Sequence, residues 1–169
     1  MNIYTDGGCS GNPGAGGWAY IIVKEPSGSA DFSNPDDLSA SILKEEWGTE
    51  KNTTNNRMEL QAVISALETL SGLDAVPGET VSNQHPNSTI DVFTDSQYVQ
   101  KGITEWILNW KRNSWRTKDK KPVKNQDLWQ ELDALTASFP ITWAWIRGHA
   151  GNKYNERCDA LTQKAIASL

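Results

Sequence analysis

The sequence predicts one α/β domain built on a mixed five-stranded sheet. Its 169 residues, 37% of them hydrophobic, suffice for a single domain with a substantial core. Three strand-like segments come first with no helix between them, whereas the last two alternate with helical patterns. A short loop joins an antiparallel pair, and a helical crossover joins parallel strands. We therefore expect strand 2 to be antiparallel to strand 1, and strands 1, 4 and 5 to be parallel.

The first two strands flank a glycine-rich stretch. Residues 1–5 favour a strand that leads to Asp6, residues 7–14 predict a loop, and residues 16–23 predict the second strand. Because a strand and not a helix follows these glycines, the dinucleotide-binding fingerprint and the P-loop are both excluded. An Asx-turn is the ordinary alternative to a site role for Asp6.

A polar segment separates the second strand from a third. Residues 25–43 mix Pro, Gly, Ser and acids without a period, which predicts a long surface connection, and residues 43–50 predict an edge strand. Apolar residues then recur at the helical period, so a helix is predicted over 55–71 with asparagines at its start. Glu59 falls in the predicted first turn, where a solvated carboxylate favoured by the helix dipole is the ordinary interpretation.

The second half of the chain repeats the arrangement of a strand followed by an acid. After a second insert at 72–89, an apolar strand over 90–96 presents Asp95 at its carboxyl end, where open α/β sheets bind ligands. The remaining predicted elements are a helical segment over 97–113 that is broken or bent near Gly102, a helix over 125–137, a strand over 141–146, and a helix over 156–169 with Asp159 in its first turn.

Charge is unevenly distributed along the chain. The net charge of −5 argues against a polyanionic partner, but residues 111–124 hold seven basic residues against one acid, and residues 25–50 hold seven acids against one base. A basic surface can therefore exist on an acidic protein, and Trp110 and Trp115 among the cations favour nucleic acid over a solvated loop.

The sequence shows no sign of a membrane or secreted protein. No apolar run is long enough to span a bilayer, and the N-terminus has no signal-peptide pattern. The two cysteines, Cys9 and Cys158, form neither a CxxC pair nor a disulfide framework. We therefore expect a cytoplasmic protein.

Four acids are expected to converge at one edge of the sheet. Asp6 and Asp95 follow strands that can be neighbours, and Glu59 and Asp159 open helices that return to that edge. Each like-charged pair at about 4 Å costs about 4 kcal/mol at an effective dielectric constant of about 20, so a cation is needed. Oxygen ligands select Mg²⁺ or Mn²⁺ over zinc. Two such ions about 3.5–4 Å apart are typical of phosphoryl transfer.

Ordered motifs resemble those of type 1 ribonuclease H. They are Tyr4–Gly14, Thr54–Leu60, Thr94–Val99, and Gly148–Gly151 together with Asn155–Asp159. The resemblance covers nearly all of residues 1–169, apart from the inserts at 25–43 and 72–89. The tryptophan-rich segment 106–124 is similar to the basic protrusion of the bacterial form. The resemblance implies the ribonuclease H-like fold, with its sheet in the order 3-2-1-4-5.

The same resemblance implies an activity. Enzymes of this family hydrolyse the RNA strand of RNA–DNA hybrids by a two-metal-ion mechanism that leaves 3′-hydroxyl and 5′-phosphate ends. Mg²⁺ is the expected cofactor, with Mn²⁺ as the alternative ion, and a monomer without an obligate protein partner is expected. The matching motifs make Asp6, Glu59, Asp95 and Asp159 the metal ligands. His149, on its glycine-flanked loop, is expected to assist product release or proton transfer.

Other residues match positions that hold the hybrid in this family. Residues that resemble readers of the minor groove and the ribose 2′-hydroxyls are Asn12, Asn55 and Gln97. Residues that resemble the pocket for a DNA-strand phosphate are Thr54 and Asn125, and Trp106 resembles a residue that lines the DNA channel. The lysines expected to contact the substrate are Lys118, Lys120 and Lys121. Upstream of Thr54 the chain has Asn52 where some relatives have Arg.

Two other functions are weighed against this one. A DNA-cutting enzyme on the same fold, such as a transposase, integrase or junction resolvase, would be expected to carry DNA-end-binding domains, which this sequence does not show. A non-catalytic hybrid-binding module would be expected to lose one of the four carboxylates, and all four are present.

Overall fold

The computed structural model describes residues 1–24, 42–74 and 89–169, and the described residues form a five-stranded sheet with helices packed against it. The strands are β1 (Asn2–Gly11), β2 (Gly14–Val23), β3 (Ile42–Thr53), β4 (Ile90–Thr94) and β5 (Ile141–Trp145). The helices are α1 (Asn55–Asp74), α2 (Gln97–Lys101), α3 (Ile107–Arg112), α4 (Gln126–Thr136) and α5 (Lys153–Ala167), with a π-helical turn (Gly102–Trp106) between α2 and α3.

The sheet has the order β3-β2-β1-β4-β5. β2 is antiparallel to both β1 and β3, whereas β1, β4 and β5 are parallel. These pairings confirm the predicted mixed sheet, its strand order and its antiparallel second strand. The predicted inserts at 25–43 and 72–89 lie mostly outside the described residues. Their described ends belong to regular structure, because residues 42–43 begin β3 and residues 72–74 complete α1.

The predicted loop over residues 7–14 is wrong, because β1 continues to Gly11. Gly7 and Gly8 pair with Trp18 and Gly17 of β2, and the chain reverses only between Gly11 and Gly14. Gly11 has a φ of 81°, and the Asn12–Pro13 peptide bond is cis. Glycine is common in turns and also where backbones approach closely; here Gly11 serves the turn, and Gly7 lies where another backbone approaches closely.

Helices α1 and α5 lie on opposite faces of β1 and β2, close to the backbone. A Cβ atom on Gly7 would collide with the main chain of Met58 and Glu59 in α1. On the other face, a Cβ atom on Gly17 would lie 2.9 Å from both the Ala165 Cβ and the Thr162 carbonyl oxygen in α5. The close approach of α1 brings Glu59 beside the strand that carries Asp6.

The larger core cluster lies between the sheet, α1 and α4. It contains the apolar side of α1, including Leu60, Val63 and Leu67, together with Trp129 and Leu132 of α4. Each fully buried aliphatic side chain stabilises the fold by about 1.5–3 kcal/mol. A smaller cluster under α5 contains Tyr4, Ile21, Val23 and Cys158.

The α-helical segment after β4 is interrupted at Gly102, as the sequence predicts. The indole of the fully buried Trp129 lies where a Cβ atom of residue 102 would be. The π-helical turn begins at this glycine, and α3 continues beyond it toward the basic residues 111–124. In the part of the chain that the structure describes, no helix combines the length and apolar character needed to cross a membrane.

Candidate active site and nucleic-acid interface

Three of the predicted acids converge where β4 ends beside the middle of β1, so Asp6 lies within its strand and not at the predicted carboxyl end. Thr5 of β1 pairs with Thr94 of β4, so the residues that follow them, Asp6 and Asp95, lie side by side. Glu59 reaches this point from α1. One carboxylate oxygen from each of Asp6, Glu59 and Asp95 lies within 4.8 Å of the others. The register of two parallel strands and the close packing of one helix therefore build the cluster.

Glu59 is a buried carboxylate and not a solvated one. It lies in the second turn of α1, because the helix begins at Asn55, so the predicted first-turn position is wrong. Only 6% of the residue is exposed, and its Oε2 atom has no hydrogen-bond partner among the described residues. Burial raises the pKa of Glu59 well above its usual range, and the charges of Asp6 and Asp95 raise it further.

The pKa values of the two aspartates are raised for the same main reason. Burial, with smaller contributions from the charges of Asp95 and Asp159, raises the pKa of Asp6 to about 6, although the Thr162 side chain partly offsets it. Burial also raises the pKa of Asp95, and a hydrogen bond from Asn155 offsets part of that effect. Clustered carboxylates with raised pKa values are typical of a site that a cation completes.

The donor set fits a hard divalent cation. An octahedral Mg²⁺ ion binds oxygens at about 2 Å, so neighbouring ligands are roughly 3 Å apart and opposite ligands roughly 4 Å apart. The carboxylate oxygens of the cluster lie within 4.8 Å of one another and would move closer together around such an ion. A cation would also satisfy Glu59 Oε2, the buried oxygen without a hydrogen bond. The cluster contains no His or Cys that would favour zinc.

Asp159 lies near this cluster but outside its closest set. It lines a cleft of about 380 Å³ together with Asp6 and Asn55, and its charge raises the pKa of both Asp6 and Asp95. Its predicted place in the first helical turn is wrong, because α5 begins at Lys153 with Asn152 as its N-cap. The cleft edge therefore carries a fourth carboxylate, as the sequence predicts.

His149 lies on the loop between β5 and α5. It is exposed and has a φ of 54°, in the left-handed region. Its charge lowers the pKa of both Asp6 and Asp95, which places it within electrostatic reach of the cluster. The structure thus brings the predicted histidine to the carboxylates without making it a member of the closest set.

Three further residues around the aspartates were not predicted to have a role at the site, although two of them lie in the quoted motifs. The amide of Asn155, which is 2% exposed, donates to Asp95 Oδ2 at 3.4 Å. A Cβ atom on Gly148 would lie 2.7 Å from Asp95 Oδ2, and the Thr162 hydroxyl donates to the Asp6 carbonyl at 3.3 Å. Asn155 could have been found by its spacing, because it precedes Asp159 by four residues and so shares its helix face.

Two of the predicted minor-groove readers lie together at the start of α1. Asn12, in the turn between β1 and β2, accepts a hydrogen bond from the Asn55 N–H through Oδ1 at 3.3 Å. Both residues are exposed, as is Gln97, the first residue of α2. Thr54 lies beside them, and its buried Oγ1 has no hydrogen-bond partner among the described residues. Polar groups are thus presented along the rim next to the carboxylates.

Asn125 belongs to a hydrogen-bonded network that joins three helices. It adopts a left-handed conformation at φ 58° before α4, and its Nδ2 donates to the Tyr98 hydroxyl at 3.1 Å. Its Oδ1 accepts from Arg57 at 3.5 Å, and Arg57 forms a bidentate ion pair with Asp127 at 2.8 and 3.0 Å. The Trp129 indole also donates to Tyr98, so the side chain of Asn125 is held in one orientation.

The basic segment forms a separate cleft. Trp106 and Trp110 line it together with Arg116 and Lys118, and its volume is about 490 Å³. All seven cations of residues 111–124 are exposed, including Lys120 and Lys121. Within the described ranges, the one of them in a salt bridge is Lys111, which pairs with Asp133 at 2.8 Å. The other cations are available to a polyanion.

Solved structures share this fold. LC9-RNase H1, a type 1 RNase H with the type 2 active-site motif, is 29% identical with a TM-score of 0.72, and the match covers 99% of this chain and 72% of that one. LC11-RNase H1 in complex with RNA/DNA hybrid is 23% identical with a TM-score of 0.66, and the match covers 99% of this chain and 96% of that one. These similarities confirm the ribonuclease H-like fold.

Curated relatives are similar over the whole chain. The protein named Ribonuclease H from Treponema denticola is 52% identical over 169 residues, which is 100% of this chain and 98% of that protein. The Ribonuclease H of Thiobacillus denitrificans is 50% identical over 164 residues, 97% of this chain and 91% of that protein. The RNase H family model matches residues 1–167. The chain therefore belongs to the RNase H family and is a ribonuclease of that class.

Proposed function

We propose that this protein is an endonuclease that hydrolyses the RNA strand of RNA–DNA hybrids and leaves 3′-hydroxyl and 5′-phosphate ends. The observation that carries this proposal is the convergence of Asp6, Glu59 and Asp95 within 4.8 Å, with a buried oxygen of Glu59 lacking a partner among the described residues. An arrangement of this kind is unfavourable without cations and suits hydrolysis of a phosphodiester.

The four acids at the cleft would all contribute to cation binding, three from the close cluster and one from the cleft edge. Asp6, Glu59 and Asp95 would hold divalent cations, and Asp159 would complete the set from the cleft edge. Two Mg²⁺ ions, or Mn²⁺ in their place, would lower the pKa of an attacking water and stabilise the charge of the leaving oxygen. His149, exposed on its loop, would carry a proton or assist product release.

The hybrid would lie along the rim next to these acids. Asn12, Asn55 and Gln97 present exposed amides that can bond to base edges and 2′-hydroxyls, the group that distinguishes RNA from DNA. Thr54, whose hydroxyl has no partner among the described residues, and Asn125, whose amide is held by Tyr98, would bind a phosphate of the DNA strand. These assignments rest on the motif resemblance and on the exposure of these groups.

The basic segment would hold the DNA strand farther from the cut. Trp106 offers an aromatic surface in the second cleft, and the exposed Lys118, Lys120 and Lys121 can neutralise phosphates. LC11-RNase H1, which has the same fold, was solved in complex with an RNA/DNA hybrid. That complex supports a hybrid as the substrate for this chain.

We propose further that residues 1–169 act as one domain and as a monomer. The three close carboxylates and the binding side chains all come from a single chain, so no partner subunit is needed to complete the site. Sedimentation of the protein alone and with an equimolar short hybrid tests this. A dimer that carries the activity would contradict it.

A cleavage assay tests the proposed function. The protein with Mg²⁺ is incubated with a hybrid, a DNA duplex and an RNA duplex of one sequence, and we expect cleavage of the hybrid's RNA strand alone. EDTA, Asp6→Asn and Asp95→Asn should abolish cleavage while hybrid binding persists. Glu131→Gln, which changes an exposed carboxylate on α4, is the matched control and should be fully active.

Three results would contradict the proposal. Cleavage of the DNA duplex would indicate a DNA-cutting enzyme, binding without cleavage would indicate a hybrid-binding module, and activity in EDTA would exclude the cation-dependent mechanism. End analysis completes the test, because a polymerase extends 3′-hydroxyl ends and a phosphatase releases phosphate from 5′-phosphate ends.

A further inference from the structure

Trp145, at the end of β5, makes a direct contact with the residue that carries one of the site carboxylates. Its indole Nε1–H donates to the main-chain carbonyl of Asp95 at 2.9 Å. The residue is nevertheless 44% exposed, so burial of the ring does not by itself explain a large aromatic side chain at this position.

The indole bonds a carbonyl that lies just beyond the paired part of β4 and β5. Thr94 and Trp145 are the last paired residues of β4 and β5, and the Ile146 N–H donates to the Thr94 carbonyl at 3.0 Å. Main-chain groups along β4 bond alternately to its two neighbours, since the Ile90 N–H donates to Pro140 and the Asp91 N–H to Met1, so the main chain of β5 is not the expected partner of the Asp95 carbonyl. The Trp145 side chain reaches across and satisfies it.

Asn155 and Gly148 also contact Asp95, but they do so at its carboxylate and hold it less firmly than the indole holds the carbonyl. The Asn155 amide donates to Asp95 Oδ2 at 3.4 Å, near the limit of a hydrogen bond. Gly148 leaves room for the same oxygen, since a Cβ atom there would lie 2.7 Å away. A carboxylate that must keep its direction therefore depends on a fixed backbone behind it.

We propose that Trp145 is a positioning residue for Asp95. By bonding the Asp95 carbonyl, the indole fixes the backbone just beyond β4 and so directs the carboxylate toward Asp6 and Glu59. This inference rests on the proposed role of Asp95 as a cation ligand. Ligand sets lose activity when a supporting contact is removed, even though that contact never touches the substrate.

The test compares Trp145→Phe with Trp47→Phe. Phenylalanine keeps an aromatic ring and removes the N–H donor. Trp47 is a matched control, since it is a 38% exposed tryptophan on β3 whose ring lies against Lys164 of α5. Mg²⁺ binding is measured by calorimetry without substrate, and kcat and KM are measured on a hybrid.

We expect Trp145→Phe to weaken Mg²⁺ binding and to lower kcat by about five- to tenfold, the range that loss of one hydrogen bond produces, with KM unchanged. Trp47→Phe should match the wild type in all three. If Trp145→Phe folds poorly, site-specific benzothienylalanine, which has the shape of tryptophan without the N–H, replaces it and should give the same losses.

The outcomes separate this inference from the proposed function. Wild-type Mg²⁺ affinity and kcat in the Trp145 variants would overturn the positioning role, and so would a rise in KM with kcat unchanged, which would indicate direct substrate contact. If the wild type fails to cut the hybrid yet Trp145→Phe still weakens Mg²⁺ binding, the proposed function fails and the positioning role stands.

Discussion

The carboxylate of Glu59 differs from an ordinary helix glutamate because of the residue opposite it. Gly7 has no side chain, so α1 approaches β1 until the Glu59 backbone meets the place of the missing Cβ. Glu59 is then removed from water beside Asp6 and Asp95, and these conditions together raise its pKa. A glycine on a strand therefore determines the chemistry of a glutamate on a helix.

His149 is expected to contribute to turnover and not to substrate binding. His149→Ala should lower kcat at least about tenfold and leave KM near the wild-type value, because a proton carrier contributes to the chemical step and not to binding. The exposed residue makes no core contact, so the melting temperature should be unchanged. The control is His85→Ala, at the chain's other histidine. Inactivity as complete as that of Asp6→Asn would assign His149 to the cation site.

Among the elements, strand and helix identities were predictable from the sequence and the role of the glycines was not. Apart from β1, which was predicted to end six residues too early, the sequence pattern predicted the bounds of each strand and long helix within about three residues, because burial of one face leaves a repeat in the sequence. Gly7 and Gly8 gave no such repeat and were interpreted as a loop. Whether a glycine makes a turn or admits a helix depends on what packs against it, and that information lies far away along the chain.

Two glycines within helical segments should respond oppositely to alanine. Gly102→Ala should destabilise the protein by about 3 kcal/mol, because its Cβ would overlap the buried indole of Trp129. Gly72→Ala should stabilise it by about 0.5–1 kcal/mol, because nothing lies within 4 Å of a Cβ there and alanine favours the helix. Urea unfolding measures both. Equal effects would mean that the contact with Trp129 is not limiting.

For the molecule as a whole, the sequence predicted which acids form the site, but it did not predict which neighbouring residues hold those acids in position. Asp6 and Asp95 were recognisable because each follows an apolar strand. Trp145 was not recognised, because its donor acts on a carbonyl fifty residues away along the chain, and only the register of β4 and β5 places the two together. Every residue has a main-chain carbonyl, so the sequence does not indicate which of them accepts a hydrogen bond from a side chain.

The raised acid pKa values predict how stability depends on pH when no divalent cation is bound. A carboxyl group whose pKa is about 6 in the folded protein and 3.8 in the unfolded chain keeps its proton to a higher pH when folded. Its stabilising contribution is therefore complete below pH 4 and is lost as the pH rises through about 6. For Asp6 the loss amounts to about 3 kcal/mol.

Unfolding in EDTA at pH 4.5 and pH 7 measures this loss. Asp6→Asn, which cannot ionise, should be more stable than the wild type at pH 7 and should lose less stability between the two values. Glu45 and Asp127, whose pKa values are held low by Arg157 and Arg57, act in the opposite direction but equally in both proteins. A wild-type pH dependence in Asp6→Asn would contradict the assignment, and Glu131→Gln is the control.

Positive charge is concentrated in one segment of an otherwise acidic molecule. The protein carries a net charge of −5, yet the cations of residues 111–124 are all exposed, and of these Lys111 alone forms a salt bridge within the described ranges. An acidic body would repel a polyanion, so substrate affinity should depend on this segment. Each neutralised phosphate contributes about −0.9 to the slope of log affinity against log salt concentration on duplex DNA.

Replacing Lys118, Lys120 and Lys121 together by Ala should flatten that slope by about one to three and raise KM far more than it lowers kcat. The matched control replaces Lys24 and Lys44, which lie at the opposite end of the sheet from Asp6, where Asn2 pairs with Val23 and Ile22 with Lys44. Those changes also make the protein more acidic but remove no expected phosphate contact. If both variants shift the slope equally per charge, net charge governs affinity and the basic segment is only a solvated loop.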